Sequence, residues 1–265
     1  MNDTVLLDVA DSIATLTLNR PAALNALNQE MRAALIARLA EVEADDRVRC
    51  VILRGAGEHF MSGGDIKSFY AERDNDRLAK RRRFLEGINA LHPMIFGIRR
   101  MAKPVIAEVR GYAAGFGVSL AIACDLTIAA ADAKFTLAYV RIGASPDGGA
   151  SYFLPRLVGL KKALEIALLG DDIDAGTAAA HGMVNYVVPG AELPAFTARL
   201  ARRLANGPTL AYGNVKRLMY SSLDTNMEAQ LQLEAECLTA SALGQDFREG
   251  VSAFVEKRKP HFQGR

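Results

Sequence analysis

Residues 104–130, PVIAEVRGYAAGFGVSLAIACDLTIAA, carry the pattern that decides the fold. Residues 104–109 form a short apolar run that reads as a strand. Residues 111–117 read as a glycine-bearing loop, 118–123 as the start of a buried helix, and 126–130 as a second strand. Strand, crossover and strand again is the rhythm of a mostly parallel sheet with helices outside it. The pattern extends toward the N-terminus. Residues 5–9 and 13–18 read as a strand pair turning at Asp11 and Ser12, and Asn28 as the N-cap of a helix that buries Met31, Leu35, Leu39 and Val42. Residues 50–53 read as a further strand running into the glycine-bearing segment 55–64. A long charged helix is expected from Asp74 to about Arg100, interrupted near His92-Pro93.

Beyond about residue 148 the chain reads as nearly all helical. Residues 191–205, 209–221 and 226–243 have helical apolar spacing, and residues 246–257 place Phe247, Val251 and Phe254/Val255 on one side. The expectation is an α/β fold with one core over residues 1–200 and a helical C-terminal region over 201–265.

Composition narrows the function classes. The 265 residues carry a net charge of +2 and are half apolar, so no global field calls for nucleic acid or an anionic membrane. The three cysteines, Cys50, Cys124 and Cys237, are scattered without a CxxC spacing, which predicts reduced, buried thiols and no metal centre. No basic region followed by an apolar run opens the chain, and no apolar stretch is long enough to span a bilayer. A soluble, cytoplasmic protein is expected.

Two loops hold the candidate chemistry: His59-Phe60-Met61-Ser62-Gly63-Gly64-Asp65-Ile66-Lys67 and Gly111-Tyr112-Ala113-Ala114-Gly115-Phe116-Gly117. Neither is a Walker loop or GxGxxG, and the chain has no GxSxG elbow or HExxH. Glycine-rich loops expose backbone N–H groups that a ligand oxygen can approach closely. Two such amides aimed at one point stabilise an oxyanion, each typically contributing ~3 kcal/mol. The plainer reading is that these glycines only make turns and close packing contacts.

Around these loops several motifs fall in register. Leu18-Asn19-Arg20-Pro21 and Leu24-Asn25-Ala26-Leu27 come first, then Pro104-Val105-Ile106-Ala107 and Ala123-Cys124-Asp125-Leu126. Pro146-Asp147-Gly148-Gly149, Leu154-Pro155-Arg156, Glu249-Gly250 and Phe254-Val255-Glu256-Lys257-Arg258-Lys259-Pro260 follow. Together they resemble the crotonase (enoyl-CoA hydratase/isomerase) superfamily over about residues 5–262, closest in motif to its single-aspartate isomerases. The resemblance implies a spiral of ββα units, with a coenzyme A thioester as substrate and no resident cofactor. It also implies a homotrimer or a dimer of trimers, with the helical C-terminal region at the subunit interface. It places the oxyanion amides at Gly64 and Phe116, the latter in place of a glycine common in the family. Arg20, Leu24, Ser62, Asp65 and Ile66 fall on its coenzyme A rim, which Lys257, Lys259 and Phe262 complete, from the same or a neighbouring subunit. For these tail residues the plainer reading is a solvated charged helix end.

The two glutamates of the family's hydratases are here Ser119 and Tyr139. A neutral hydroxyl is a far weaker base near pH 7, which disfavours the two-glutamate hydration. Asp147 remains, where some family isomerases present a single catalytic aspartate. One carboxylate suffices to move a double bond, taking a proton from C2 of a 3-enoyl thioester and returning it at C4. Its other reading is a helix N-cap before Gly148-Gly149. Glu108 reads as a paired or edge carboxylate, His59 as structural, and Lys80-Arg81-Arg82-Arg83 as a solvated helix face.

A Δ3,Δ2-enoyl-CoA isomerase with Asp147 as base leads the functional readings. The alternatives are a hydratase or lyase acting on a branched or cyclic acyl-CoA, and a non-catalytic acyl-CoA- or RNA-binding member. A nucleophilic Asp147, as in aroyl-CoA dehalogenases, lacks a supporting histidine, and the chain has no tryptophan for such an aromatic pocket.

Overall fold

The computed structural model describes residues 3–71, 73 and 76–265. The first two residues and Asp74, the expected start of the charged helix, lie outside them. Strands β1 (Val5–Ala10) and β2 (Ile13–Leu18) form an antiparallel hairpin. Its two-residue turn holds Asp11 and Ser12 at positive φ, as a tight turn that follows the strand twist requires. Helix α1 (Gln29–Ala44) is capped by Asn28, whose side chain accepts from the Met31 amide, and it buries Met31, Leu35, Leu39 and Val42. Strands β3 (Cys50–Gly55), β4 (Val105–Val109) and β6 (Leu126–Ala130) then add in parallel to β2.

Between β4 and β6 the short strand β5 (Tyr112–Ala114) leads into α5 (Phe116–Ala123). All eight residues of α5 are buried. A helix apolar on every side has to sit inside the core. The segment expected as a loop over 111–117 is therefore a strand plus the first helical turn. β5 pairs with β7 (Lys134–Thr136), and β8 (Ile173–Asp174) completes this second, three-stranded sheet. β9 (Tyr186–Val188) closes the six-stranded sheet, in the order β1-β2-β3-β4-β6-β9. From β4 onward the chain thus alternates between the two sheets, giving β4, β6 and β9 to the large one and β5, β7 and β8 to the small, as in the expected spiral of ββα units. β8 and β9 correct the nearly all-helical expectation after residue 148; two or three residues are too few to show a period of two.

The charged stretch is also divided. A first helix, α2 (Ile66–Ala71), precedes it, and α3 (Arg77–Asn89) starts where the Asp76 side chain accepts from the Leu78 and Ala79 amides. α4 (His92–Arg100) follows, with Pro93 in its first turn, where a missing N–H costs nothing. Lys80, Arg81, Arg82 and Arg83 lie on α3, which buries no residue.

Helices α6 (Ala150–Val158), α7 (Leu160–Leu169), α8 (Ala175–Ala180) and α9 (Leu193–Ala205) continue the chain. α9 packs on β3, β4 and β6, so the boundary expected at residue 200 falls inside a core helix. Helices α10 (Thr209–Ser221), α11 (Met227–Ala242) and α12 (Gln245–Val255) form the C-terminal region. Phe247, Val251, Phe254 and Val255 do share a side of α12, and that side is exposed, as are Met219, Leu231 and Leu238. The tail after α12 is held by Asp246, whose carboxylate accepts from the amides of Gln263 at 2.6 Å and Gly264 at 2.7 Å. No helix among the described residues is long and apolar enough to cross a membrane. The three cysteines are buried free thiols.

Candidate active site

The two glycine-bearing loops run side by side. The amides of Phe60 and Met61 donate to the carbonyls of Arg110 and Tyr112 at 2.9 and 3.1 Å, and the Ala114 amide returns a bond to Met61 at 2.8 Å. The first loop is also bonded on its other side, Leu27 N–H to Gly63 at 2.7 Å and Asp65 N–H to Leu27 at 3.1 Å. That parallel bridge uses the groups flanking Gly64 and turns the Gly64 N–H away from Leu27. In the second loop, Gly115 stands at φ 50°, ψ −120°, a conformation open to glycine but not to a residue with a Cβ. Its amide donates to Thr136 of β7 at 2.8 Å. The Phe116 amide therefore opens α5 as one of the unpaired N–H groups of the first turn.

The two loops meet just before these amides. A Cβ built on Gly63 would lie 3.0 Å from the Ala114 carbonyl oxygen, and one on Gly115 would lie 3.7 Å from the Gly63 Cα. Among the described residues neither the Gly64 nor the Phe116 N–H has an acceptor. Two free amides beside touching backbones, one of them at a helix N-terminus, form a donor pair suited to a developing oxyanion.

Asp147 sits against the same loops. A Cβ on Gly148 would come within 2.5 Å of the Phe116 ring and 3.0 Å of the Ser119 Cβ, so the Asp147-Gly148 turn is pressed onto α5. The Asp147 carboxylate does not cap α6: that position belongs to Gly149, which has no side chain to offer. Instead Asp147 Oδ1 accepts from the Tyr139 hydroxyl at 2.6 Å. The Ser119 hydroxyl donates to the Asp147 carbonyl at 2.9 Å and lies 3.3 Å from the Tyr139 hydroxyl. The hydroxyls of Ser119 and Tyr139 are thus organised around Asp147. Burial raises the Asp147 pKa above the ordinary carboxylate value, and the Tyr139 hydrogen bond opposes that rise. The Tyr139 phenol is pushed well above its usual range by burial, then by the neighbouring Asp147 charge. In this pair Tyr139 is the donor and Asp147 the acceptor.

On the outer side of the first loop five expected rim residues gather. The Ser62 amide donates to the Leu24 carbonyl at 3.0 Å, and Arg20 pairs with Asp65 at 3.1 Å. Leu24 and Ile66 are about half exposed beside them, at 48% and 49%. Buried Asn25, unremarked within its motif, braces this arrangement. Its amide nitrogen donates to the Ala56 and His59 carbonyls at 2.9 and 2.8 Å, and its oxygen accepts from the Arg20 amide at 2.9 Å. Asn25→Ala would strand three backbone groups and is expected to cost on the order of 3 kcal/mol, read by urea unfolding. His59 is structural: its Nδ1 accepts from the Tyr112 amide at 3.2 Å and joins the loops.

Lys257, Lys259 and Phe262 are not brought to this rim within the chain. The Phe262 carbonyl accepts from Arg49 at 3.0 Å, at the start of β3, whereas the first loop follows the end of that strand, roughly 20 Å away. Lys257 and Lys259 are exposed. Glu108 is buried in the central strand β4, so it is neither an edge carboxylate nor part of the cluster around Asp147. Among the described residues no group of His, Cys, Asp and Glu is placed to hold a metal ion.

Comparison with known proteins agrees with this geometry. The family model described as enoyl-CoA hydratase/isomerase matches residues 8–265. The chain is 38% identical to the 1,2-epoxyphenylacetyl-CoA isomerase of Escherichia coli, over the full length of both. It is 31% identical to the trans-2-decenoyl-[acyl-carrier-protein] isomerase of Streptococcus mutans, covering 98% of each chain. The crystal structure of an enoyl-CoA hydratase from Polaromonas sp. JS666 superposes with a TM-score of 0.91 at 32% identity, covering 97% of this chain and 99% of that one. With its spiral fold, its paired loop amides and a match over nearly the whole chain, this protein belongs to the enoyl-CoA hydratase/isomerase family of the crotonase superfamily.

Proposed function

We propose that the protein is a Δ3,Δ2-enoyl-CoA isomerase in which Asp147 alone moves the proton. The observation that carries this reading is the cluster at the two hydratase glutamate positions: Ser119 and Tyr139 supply hydroxyls that orient Asp147, leaving one carboxylate beside two free amides. The thioester oxygen accepts from the Gly64 and Phe116 amides. The Asp147 carboxylate removes a proton from C2, the C–H electron pair enters the conjugated system, and the dienolate charge rests on the thioester oxygen. Protonated Asp147 then returns the same proton at C4, so atoms and charge balance and no resident cofactor enters. An amide pair held by the backbone needs no reorganisation as charge develops, which is why it lowers the barrier.

Arg20, Leu24, Ser62, Asp65 and Ile66 form the coenzyme A rim in this scheme. Lys257, Lys259 and Phe262 reach a rim only as contributions from a second copy. The exposed apolar side chains of α10, α11 and α12 fit that role in a homotrimer or a dimer of trimers.

The test is to incubate the protein separately with 3-enoyl-CoA and 2-enoyl-CoA, following mass and the absorbance of the conjugated thioester. Conjugation of the 3-enoyl ester at constant mass is expected. Addition of one water to the 2-enoyl ester, without isomerisation, would replace this reading with a hydratase that works without the glutamate pair.

A further inference from the structure

Behind the Asp147-Gly148-Gly149 turn lies a cavity of about 940 Å3, walled by α4, α6 and α10, with Gly148 and Gly149 in its lining. None of the rim residues Arg20, Leu24, Ser62, Asp65 and Ile66 borders it. The rim and the cavity therefore lie on different elements, and the cavity borders the Asp147 turn through Gly148 and Gly149. A thioester held at Gly64 and Phe116, with its C2–C4 segment against Asp147, has this cavity as the space for its remaining carbons.

The lining is aromatic and carries several cations, of which Arg99 is the one set against two rings. The Arg99 guanidinium lies 3.2 Å from the centre of the Tyr220 ring and 4.6 Å from that of Phe153. It has five N–H donors, and no acceptor among the described residues takes a hydrogen bond from it. Asp125, the nearby carboxylate, is already engaged by Lys216 at 2.7 Å, by the Val105 amide at 2.7 Å and by the Tyr220 hydroxyl. Asp224, the acidic residue of the lining, is held by Arg156 at 2.9 Å and by the Tyr152 hydroxyl. Lys216 is likewise committed to Asp125 and to the carbonyls of Ile98 and Lys103. A half-buried guanidinium stacked on rings and lacking any acceptor is arranged to take a planar anion.

We propose that Arg99 reads the far end of the acyl group, so that the cavity selects thioesters whose chain ends in a carboxylate. This rests on the isomerase reading for its chemistry, but the binding preference stands apart from turnover. Phe153 and Tyr220 hold the guanidinium plane, the apolar lining takes the intervening methylenes, and the carboxylate accepts a bidentate pair of N–H bonds. The substrate class is therefore an ω-carboxyacyl thioester, the product of an oxidation or ring-opening that leaves a second acid group on the chain.

The experiment uses the full-length protein and matched pairs of 3-enoyl-CoA esters of about six to ten carbons, methyl-ended and ω-carboxylated. For at least one length the ω-carboxylated ester is expected to show the higher kcat/KM. Arg99→Met should lower the ratio of carboxylated to methyl-ended kcat/KM by about ten- to hundredfold, and Arg99→Lys should keep part of it. Calorimetric affinities of the saturated ω-carboxyacyl- and acyl-CoA esters for the wild-type protein supply the same ratio without catalysis. Absence of any preference in wild-type binding, or a ratio that Arg99→Met leaves unchanged, would overturn the proposal. If neither ester is turned over while the binding preference remains, the isomerase reading fails and the role of Arg99 stands.

Discussion

Asp147→Asn should lower isomerase kcat/KM by about 10²–10⁴-fold, the range associated with loss of a positioned acid–base group, while binding of the coenzyme A ester changes little. The variant retains an Oδ1 that can accept from Tyr139, so its fold should persist. Its stability gives a second readout. Burial raises the Asp147 pKa in the folded state. A group of that kind adds stability that is complete below its unfolded pKa and is lost as pH rises through the folded one. At neutral pH the buried charge therefore opposes folding, and Asp147→Asn should raise the melting temperature. A variant with full activity would remove Asp147 from the mechanism; an inactive one that melts lower would make it a structural residue instead.

The same carboxylate sets the pH dependence. The base acts only when ionised, so kcat/KM should rise with pH through the Asp147 pKa, on a limb above the ordinary aspartate value of about 3.9. Tyr139→Phe removes the hydrogen bond that favours the ionised form. Its acid limb should move to higher pH. A limb that stays in place would mean that the phenol does not tune Asp147, whatever else the substitution does to turnover.

The second large effect is expected at Gly115. At φ 50°, ψ −120° a Cβ is sterically opposed, and the residue immediately precedes the Phe116 amide. Gly115→Ala should cost about 1–3 kcal/mol of stability through strain. Relief of that strain rotates the next peptide and takes one donor away from the oxyanion, for a loss of roughly 10²–10³-fold in kcat. Circular dichroism and urea unfolding separate the two effects. A stable variant with unchanged kcat would show that the Phe116 amide does not serve the reaction. Gly143→Ala, at φ 68° with nothing within 4 Å of the added Cβ, provides a strain control far less tied to the loops.

Where a feature depends on nearby residues, the chain announced it. Asn28 with Met31, Leu35, Leu39 and Val42 defines α1 because a cap and a 3.6-residue spacing are both local, and residues 209–221 mark α10 by spacing alone. The short strands β5, β8 and β9 escaped because two or three residues show no periodicity; each exists only through its partner strand. Asp147 shows the same division within the site. Next to Gly-Gly it also reads as a helix cap, and its actual partners, Tyr139 and Ser119, lie 8 and 28 residues away. Arg99 carried no signal at all, since a charge on a basic-ended helix looks solvated until rings from α6 and α10 close over it.

By itself, then, the order of residues determined the parallel α/β core and the two loops able to present backbone amides. Only the tertiary structure decided that Gly63 and Gly115 touch, that the Gly64 and Phe116 amides find no acceptor among the described residues, and that the Tyr139 hydroxyl holds the Asp147 carboxylate while the Ser119 hydroxyl holds its carbonyl. The physical reason lies in range. Periodicity, capping and turn conformation are set within a few residues. Hydrogen bonding at the site joins segments up to 53 residues apart, whose contacts form only when the sheet and α5 pack together.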